Sequence, residues 1–377
     1  RLGGLDKMYR LHKWLGIGGL TMSVLHWALC KSPRYLIDLG WLERPARRPR
    51  PELADPLQKL LASQRGLAET MGEYAFYVLL VLLAVALLRR FPYKHFLNLH
   101  RLLPLVYLVL VFHSVVLLKF SSWLSPLGLT MVVLMAVGSV SAVIALLRRI
   151  GAGQRRRATV EAVELHPDSQ VLRVDLKLEP GWRGHRAGQF AFLRFDGHRE
   201  GAHPYTIASA WQADDRLFFL IKQSGDYTRT LAERLRAGDS VELEGPYGRF
   251  DFSGQRQRQI WVAGGIGISP FIARLQALAL QGGHAAVDLF WATRRIEAEP
   301  LRRLQEDAER AGVRLHLLLD GRDQPLTLQR IQASVPDWQQ SEVWFCGPSG
   351  FGRAILNQLR AAGLGRERFH QELFEMR

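Results

Sequence analysis

Cysteine is scarce: Cys30 and Cys346 are the only two in 377 residues. Two cysteines so far apart give no disulfide framework, and no paired-cysteine spacing suggests a zinc site. Acidic residues are also in the minority, 35 against 50 lysines and arginines, giving a formal net charge of +15. That excess would suit nucleic acid or a membrane surface. Much of it borders apolar segments or falls in the run Gln154 to Arg157, so a lipid bilayer is the expected partner and nucleic acid is not. Internal repeats and long low-complexity tracts are missing too, which argues against solenoids and arrays. Nothing resembles a cleaved signal peptide. The first residue is Arg1 and not Met, and an apolar segment follows almost at once, so the start is expected to be missing.

What is present divides in two. Residues 1–150 are mostly apolar with charges in short clusters, and they predict four membrane crossings: Trp14 to Cys30, Tyr74 to Leu88, Leu102 to Leu118 and Leu124 to Leu147. Tyr93 and Trp123 suit the interfaces. Lys7, Arg10 and Lys13 precede the first crossing, Arg89, Arg90 and Lys94 join the second to the third, and the basic run Arg148 to Arg157 follows the fourth. All three clusters fall on one side, which the positive-inside rule makes cytoplasmic. Arg44, Arg47, Arg48 and Arg50, in the loop from Lys31 to Met71, run against that tendency.

Four histidines sit in this apolar half. Thirteen residues separate His12 from His26 and twelve separate His100 from His113. At about 1.5 Å per residue each interval spans roughly 20 Å, enough to place one ring near each face of the hydrocarbon layer. The depths pair His12 with His100 and His26 with His113. Singly, each reads as a polar residue packed in a bundle; at two matched depths they read as two bis-histidine metal sites. The facing is imperfect. On an ideal helix His26 returns to within about 40° of His12, whereas His113 lies roughly 140° from His100. A distortion near Pro104 is therefore required.

The second half mixes charged and apolar residues as soluble domains do. Residues 151–157 form a basic linker. Short alternating strands follow over 158–255 (Thr159 to Leu165, Val171 to Leu178, Gln189 to Phe195, Arg216 to Lys222, Ser240 to Glu244), predicting an antiparallel β-barrel. Over 256–377, strands and helices alternate (Gln259 to Ala263, Val287 to Ala292, Arg314 to Leu319, Glu342 to Cys346), as in a parallel α/β sheet. In Val262-Ala-Gly-Gly-Ile-Gly-Ile-Ser-Pro270 a strand ends in small residues that let phosphate approach the backbone, with Ser269 as N-cap and Pro270 in the first turn. The spacing is not the full G-x-G-x-x-G, and a plain tight turn would read the same way. His203-Pro-Tyr-Thr-Ile-Ala-Ser209 and Gly225-Asp-Tyr-Thr-Arg-Thr-Leu231 each offer hydroxyls and an aromatic ring, suited to a flat ring system carrying a pyrophosphate.

Together, His203 to Ser209, Gly225 to Leu231, Gly245-Pro-Tyr-Gly248, Gly264 to Pro270 and Cys346-Gly-Pro348 resemble the ferredoxin reductase-type flavin and nicotinamide module. Joined to the four histidines, the chain resembles the NADPH oxidase and ferric reductase family, in particular its compact bacterial oxidases. The resemblance implies a multi-domain protein of α-helical haem bundle, FAD barrel and Rossmann-like nucleotide domain, with two b-type haems, FAD and NADPH or NADH as cofactors. His12, His26, His100 and His113 would be the axial ligands. His203, Pro204, Tyr205 and Thr206 would hold the FAD pyrophosphate, ring and ribityl region, and Tyr227 and Thr228 its phosphate or adenine side. Gly264, Gly265 and Gly267, with Gly347 and Pro348, would border the dinucleotide. Cys346 would lie by the nicotinamide, and Phe374 against the flavin. Arg294 and Arg295 are placed for a 2'-phosphate, although arginines at strand ends are often simply solvated.

The family usually has six membrane helices and this chain shows four, which agrees with a missing start. His203 stands where many soluble relatives have Arg, and no EF-hand pattern precedes the bundle. The implied activity is an integral membrane enzyme of a bacterial inner membrane, its FAD and nucleotide domains cytoplasmic, passing electrons outward to dioxygen to give superoxide. A ferric chelate is the alternative acceptor, and a subunit serving a protein or quinone partner is a second class. No obligate protein partner is evident from the sequence.

Overall fold

The computed structural model describes residues 5–44, 55–88, 91, 93–147, 149–197, 201–254, 256, 258–282 and 286–372. Arg47, Arg48, Arg50, Arg89, Arg90, Arg148 and Phe374 lie outside them. The chain divides into two compact units, residues 10–152 and residues 153–376, the latter together with the first nine residues.

The first unit is helical: α1 (Leu5–Asp38), α2 (Pro56–Ser63), α3 (Arg65–Leu87), α4 (Tyr93–His100), α5 (Leu103–Leu117) and α6 (Pro126–Leu146). Local chemistry sets several ends. The Asp55 carboxylate accepts from the amides of Leu57 and Gln58 at 2.7 and 3.0 Å, and Pro56 opens α2. Ser125 accepts from Gly128 N at 3.1 Å ahead of Pro126 and α6. Among the described residues three helices are long and apolar enough to cross a membrane: Arg65–Leu87, His95–Leu117 and Pro126–Leu146. The second expected crossing thus begins at Arg65 and not Tyr74, because an i,i+4 pair of Arg65 with Glu69 lets the helix run on beyond its apolar stretch. The first lies inside α1, which is long but too mixed in composition to count with the three. The Lys31 to Met71 segment, expected as loop, is in large part the end of α1, all of α2 and the start of α3.

Ala75 and Leu82 of α3 bury against Val106 of α5. Tyr107 Oη donates to the Leu134 carbonyl at 3.3 Å, joining α5 to α6, and a Cβ on Gly138 would sit 1.9 Å from that hydroxyl. Outward-facing apolar side chains such as Leu127 and Leu134 remain exposed, as a lipid-facing surface requires.

The second unit begins with β1 (Arg155–His166), β2 (Val171–Leu178), β3 (Phe190–Phe195), β4 (His203–Thr206), β5 (Arg216–Lys222), α7 (Asp226–Arg234) and β6 (Ser240–Tyr247). They form an antiparallel sheet in the order β4-β3-β6-β1-β2-β5. Leu172, Val174, Leu176 and Leu178 point to its core at alternate positions of β2. The barrel expected from sequence is an antiparallel sheet whose edges meet, among the described residues, at a single bridge between Ile207 and Phe219. From Arg155 onward the basic run placed in a linker is already strand, with Arg155 opposite Glu244 and Arg157 opposite Glu242.

The rest alternates: β7 (Arg258–Gly264), α8 (Ser269–Gln281), β8 (Ala286–Thr293), α9 (Ala298–Arg310), β9 (Arg314–Leu319), α10 (Leu328–Ser334), β10 (Glu342–Cys346), α11 (Ser349–Ala361) and β11 (Phe369–Gln371). The parallel sheet has the order β11-β10-β7-β8-β9. Ile260, Trp261, Val262 and Ala263 are fully buried, as befits a central strand covered on both faces. After β7 the chain runs to β8 and β9, then crosses to β10. That reversal opens a crevice at the carboxyl ends of β7 and β10, where such sheets bind ligands.

Candidate functional site

In the helical unit His12 and His100 come together, their ring centroids 5.9 Å apart and nearly perpendicular. Imidazole nitrogens bind metals at about 2.0–2.1 Å, so one metal bridging two rings holds their centroids roughly 6 Å apart. His113 is oriented differently. Its Nδ1 donates to the Ala68 carbonyl at 2.9 Å, which leaves Nε2 with the lone pair a metal needs. Gly72 makes room for the ring, since a Cβ there would lie 2.0 Å from that Nδ1. His26 Nε2 lies 3.8 Å from Cys30 Sγ on its own helix. Among the described residues no ring contact joins His26 to His113. The distortion required near Pro104 is present: Arg101 and Leu102 break the helix between α4 and α5, and Pro104 falls in the first turn of α5, where its missing N–H costs nothing. Gly16, Gly18 and Gly19, between His12 and His26, have open space where a Cβ would be, so a flat macrocycle can approach that face of α1. These imidazoles with small neighbours fit haem.

In the second unit the two motifs beside the antiparallel sheet meet. His203 pairs with Leu193 at the start of β4, and its ring stacks on Tyr227 of α7 at 4.4 Å and 23°. Pro204 and Tyr205 are half-buried along the same strand, and Thr206 is buried opposite Phe190. Thr228 Oγ1 accepts from the amides of Ser224 and Gly225 at 3.1 and 3.2 Å and donates to the Gly225 carbonyl. It shapes the first turn of α7. Gly225 has nothing within 4 Å of its Cβ position, so the positive end of the helix is open to an anion.

The crevice between β7 and β10 is built by glycines in close contact. A Cβ on Gly267 would lie 2.2 Å from the Cys346 carbonyl, and one on Gly264 would lie 2.7 Å from Pro348. Gly347 passes within the same distance range of Gly264. Gly265 differs: its φ is +55°, its Cβ position is open, and its carbonyl accepts from Trp291 Nε1 at 3.0 Å. Of the three glycines at and just beyond the end of β7, only Gly265 offers open backbone to a ligand; Gly264 and Gly267 let the two loops touch. Ser269, expected as N-cap, instead donates its hydroxyl to the Ile266 carbonyl at 2.9 Å, because a 3-10 turn over Gly265–Ile268 already starts the helical winding. Cys346 is fully buried, and burial pushes its thiol well up, with the Glu372 carboxylate adding to the effect. Burial thus favours the protonated thiol over the thiolate.

A cavity of about 300 Å³ opens beside Gly265, lined by Trp291, Thr293, Arg295 and Lys222. Arg295 belongs to it. Arg294 points away, exposed and 3.6 Å from Asp320. Glu297 forms part of the wall, its Oε1 accepting from the amides of Asp168 and Ser169 at 2.8 and 3.1 Å and so tying the β1–β2 turn to the start of α9. Sequence reading missed Lys222, although it ends β5 just before the Gly225 motif. It also missed Glu372, which sits 3.6 Å from the Cβ position of Gly248 and acts on Cys346.

Residues 2–111 match the model of the ferric reductase like transmembrane component, and residues 154–251 match that of an FAD-binding domain. The first match assigns a ferric reductase-like transmembrane domain to the helical unit, and the second an FAD-binding domain to the antiparallel sheet. Over 198 residues it is 30% identical to the ferredoxin reductase component of 3-ketosteroid-9-alpha-monooxygenase from Rhodococcus rhodochrous, covering 50% of this chain and 56% of that protein. It is also 30% identical to the beta subunit of a heme-dependent oxidative N-demethylase from Ectopseudomonas mendocina (strain ymp), covering 51% and 60%. The chain therefore spans little more than half the length of these relatives. Among solved structures, the flavohem-like FAD/NAD-binding domain of nitric oxide dioxygenase from Vibrio cholerae superposes with a TM-score of 0.51 at 20% identity, over 58% of this chain and 98% of that one. An Amycolatopsis cytochrome P450 reductase gives 0.51 at 24%, over 58% and 69%. These superpositions establish the fold of the second unit. The chain thus joins a ferric reductase-like transmembrane domain to an FAD-binding domain and a parallel α/β domain with the fold of FAD/NAD-binding reductases. The relatives are named as components or subunits of larger systems, so the expectation that no protein partner is needed has no support.

Proposed function

We propose that the protein is a transmembrane NADPH oxidase, carrying electrons from NADPH on the cytoplasmic side to dioxygen on the outer side of a bacterial inner membrane. The observation that carries this reading is the His12 and His100 ring pair in the ferric reductase-like unit of a chain that also holds a nicotinamide and flavin module. FAD, when bound, takes an electron pair as hydride and passes electrons singly, and haem iron carries one electron at a time.

The chain's own residues bind and orient. His203, Pro204, Tyr205 and Thr206 line one flank of the FAD site, with Tyr227, Thr228 and the open amides of α7 on the other. The Gly265 backbone admits the dinucleotide, Arg295 and Lys222 attract its phosphates, and the neutral Cys346 thiol, beside Gly347 and Pro348, bounds the nicotinamide end. Phe374 would cover the flavin from the C-terminus. His12 with His100 and His26 with His113 would hold the inner and outer haems.

A second reading is favoured by the names of the relatives, several of which are reductase components: electrons pass to a protein partner. A ferric chelate as acceptor is a third outcome. Purified protein supplied with NADPH and air should consume NADPH and give a superoxide dismutase-sensitive signal. Absence of that signal would overturn the oxidase reading, and faster anaerobic turnover with ferric citrate would establish the reductase instead.

A further inference from the structure

Glu73 is the only charge in α3 between Thr70 and Leu87. A charged group in a membrane span is costly and is retained with a partner. Glu73 has two: its Oε1 accepts from Lys31 Nζ at 2.7 Å, across from α1, and from Tyr77 Oη at 2.8 Å, one turn along α3. The contact is reinforced next to it by Trp27, which stacks on Phe76 at 5.7 Å and meets Tyr77 edge-on at 6.5 Å. Trp27 immediately follows His26. Gly72, immediately before Glu73, is the residue whose missing side chain admits the His113 ring. One short stretch of α3, residues 72–77, therefore touches both the segment of α1 that carries His26 and the histidine of α5 at the same depth. Met22 and Leu29, also in this part of α1, are both more than 60% exposed.

We infer that the Lys31–Glu73 ion pair, completed by Tyr77, is the clamp that registers α1 against α3 and α5 and sets His26 and His113 at one outer haem. This rests on the two-haem reading above. Lys31, Glu73 and Tyr77 are positioning residues. They touch neither nicotinamide nor flavin, and the His12 and His100 pair, about 28 Å from Lys31 along α1, does not depend on them.

The test compares the full-length purified protein with K31M, E73Q and the charge-swapped double variant K31E/E73K. Haem b per flavin is measured by haemochromogen assay, with midpoint potentials from an anaerobic redox titration. Wild type is expected to hold two haems per flavin. Each single variant should retain the outer haem about 10- to 100-fold more weakly, as loss of a residue supporting a metal ligand does, with the other potential unmoved. The swap should restore both. Flavin content and NADPH-dependent reduction of a soluble dye report that the second unit is folded in every variant. Two haems with unchanged potentials in K31M and E73Q would overturn the clamp alone. Fewer than two haems in wild type would overturn the two-haem reading, and the clamp with it.

Discussion

Arg294 and Arg295 are neighbours in sequence and opposites in setting: one is exposed toward Asp320, the other lines the cavity beside Gly265. A charge-assisted contact to a 2'-phosphate contributes about 1.5–3 kcal/mol. R295A should therefore raise KM for NADPH by about 10- to 100-fold with little change for NADH, whereas R294A should change either by about twofold or less. Steady-state kinetics with both nucleotides checks this; equal losses with NADH would show that Arg295 does not read the phosphate. Gly267 is constrained in another way. Its Cβ would meet a backbone carbonyl at 2.2 Å, which cannot swing aside as a side chain can. G267A should slow NADPH-driven flavin reduction by about 5- to 150-fold, since overpacking costs about 1–3 kcal/mol, while bound FAD is retained. Stopped-flow reduction with an intact flavin spectrum would show both.

At the scale of elements, periodicity was a good guide wherever burial has a regular period. The expected bounds of β2, β5, β9 and β10 agree with the observed strands, because their alternating or continuous apolar residues face a core. The break between α4 and α5 was legible from the histidine spacing and Pro104. Short elements set by tertiary pairing were not legible: β4 is four residues held by β3, β11 is three held by β10, and the Gly225 motif reads as a turn until Thr228 folds back on its amides. Lys222 and Glu372 gain meaning only from neighbours distant in sequence.

Asp288, a charge in an otherwise apolar β8, belongs with these. It is buried, with Arg314 Nη2 at 2.8 Å, His316 Nε2 at 2.9 Å and Arg258 Nη2 at 3.2 Å. Burial pushes its carboxyl up, but the hydrogen bonds from His316 and Arg314 outweigh that and hold it below the ordinary carboxylate value. The folded pKa is depressed, so this stabilisation is complete above the unfolded value, about 4, and is lost as pH falls through the folded one. Removing one partner of a buried pair costs about 3 kcal/mol. D288A should lower the melting temperature of the flavin-bearing unit by several degrees at pH 7, with the difference from wild type shrinking below about pH 4. A pH-independent difference would contradict the charge-based account.

Across the whole molecule, the composition already divides where the two units divide, and the scarcity of cysteine and acid fits a membrane protein that relies on bound cofactors. The central claim is that the histidine-bearing helices and the nucleotide module belong to one electron path. Its most direct test is the anaerobic reduced-minus-oxidised spectrum of the purified protein after addition of NADPH. The account predicts that flavin bleaching is followed by reduction of two low-spin b-type haems, and that H100A removes one of them. Flavin that reduces with no haem signal, or a full haem signal in H100A, would contradict it.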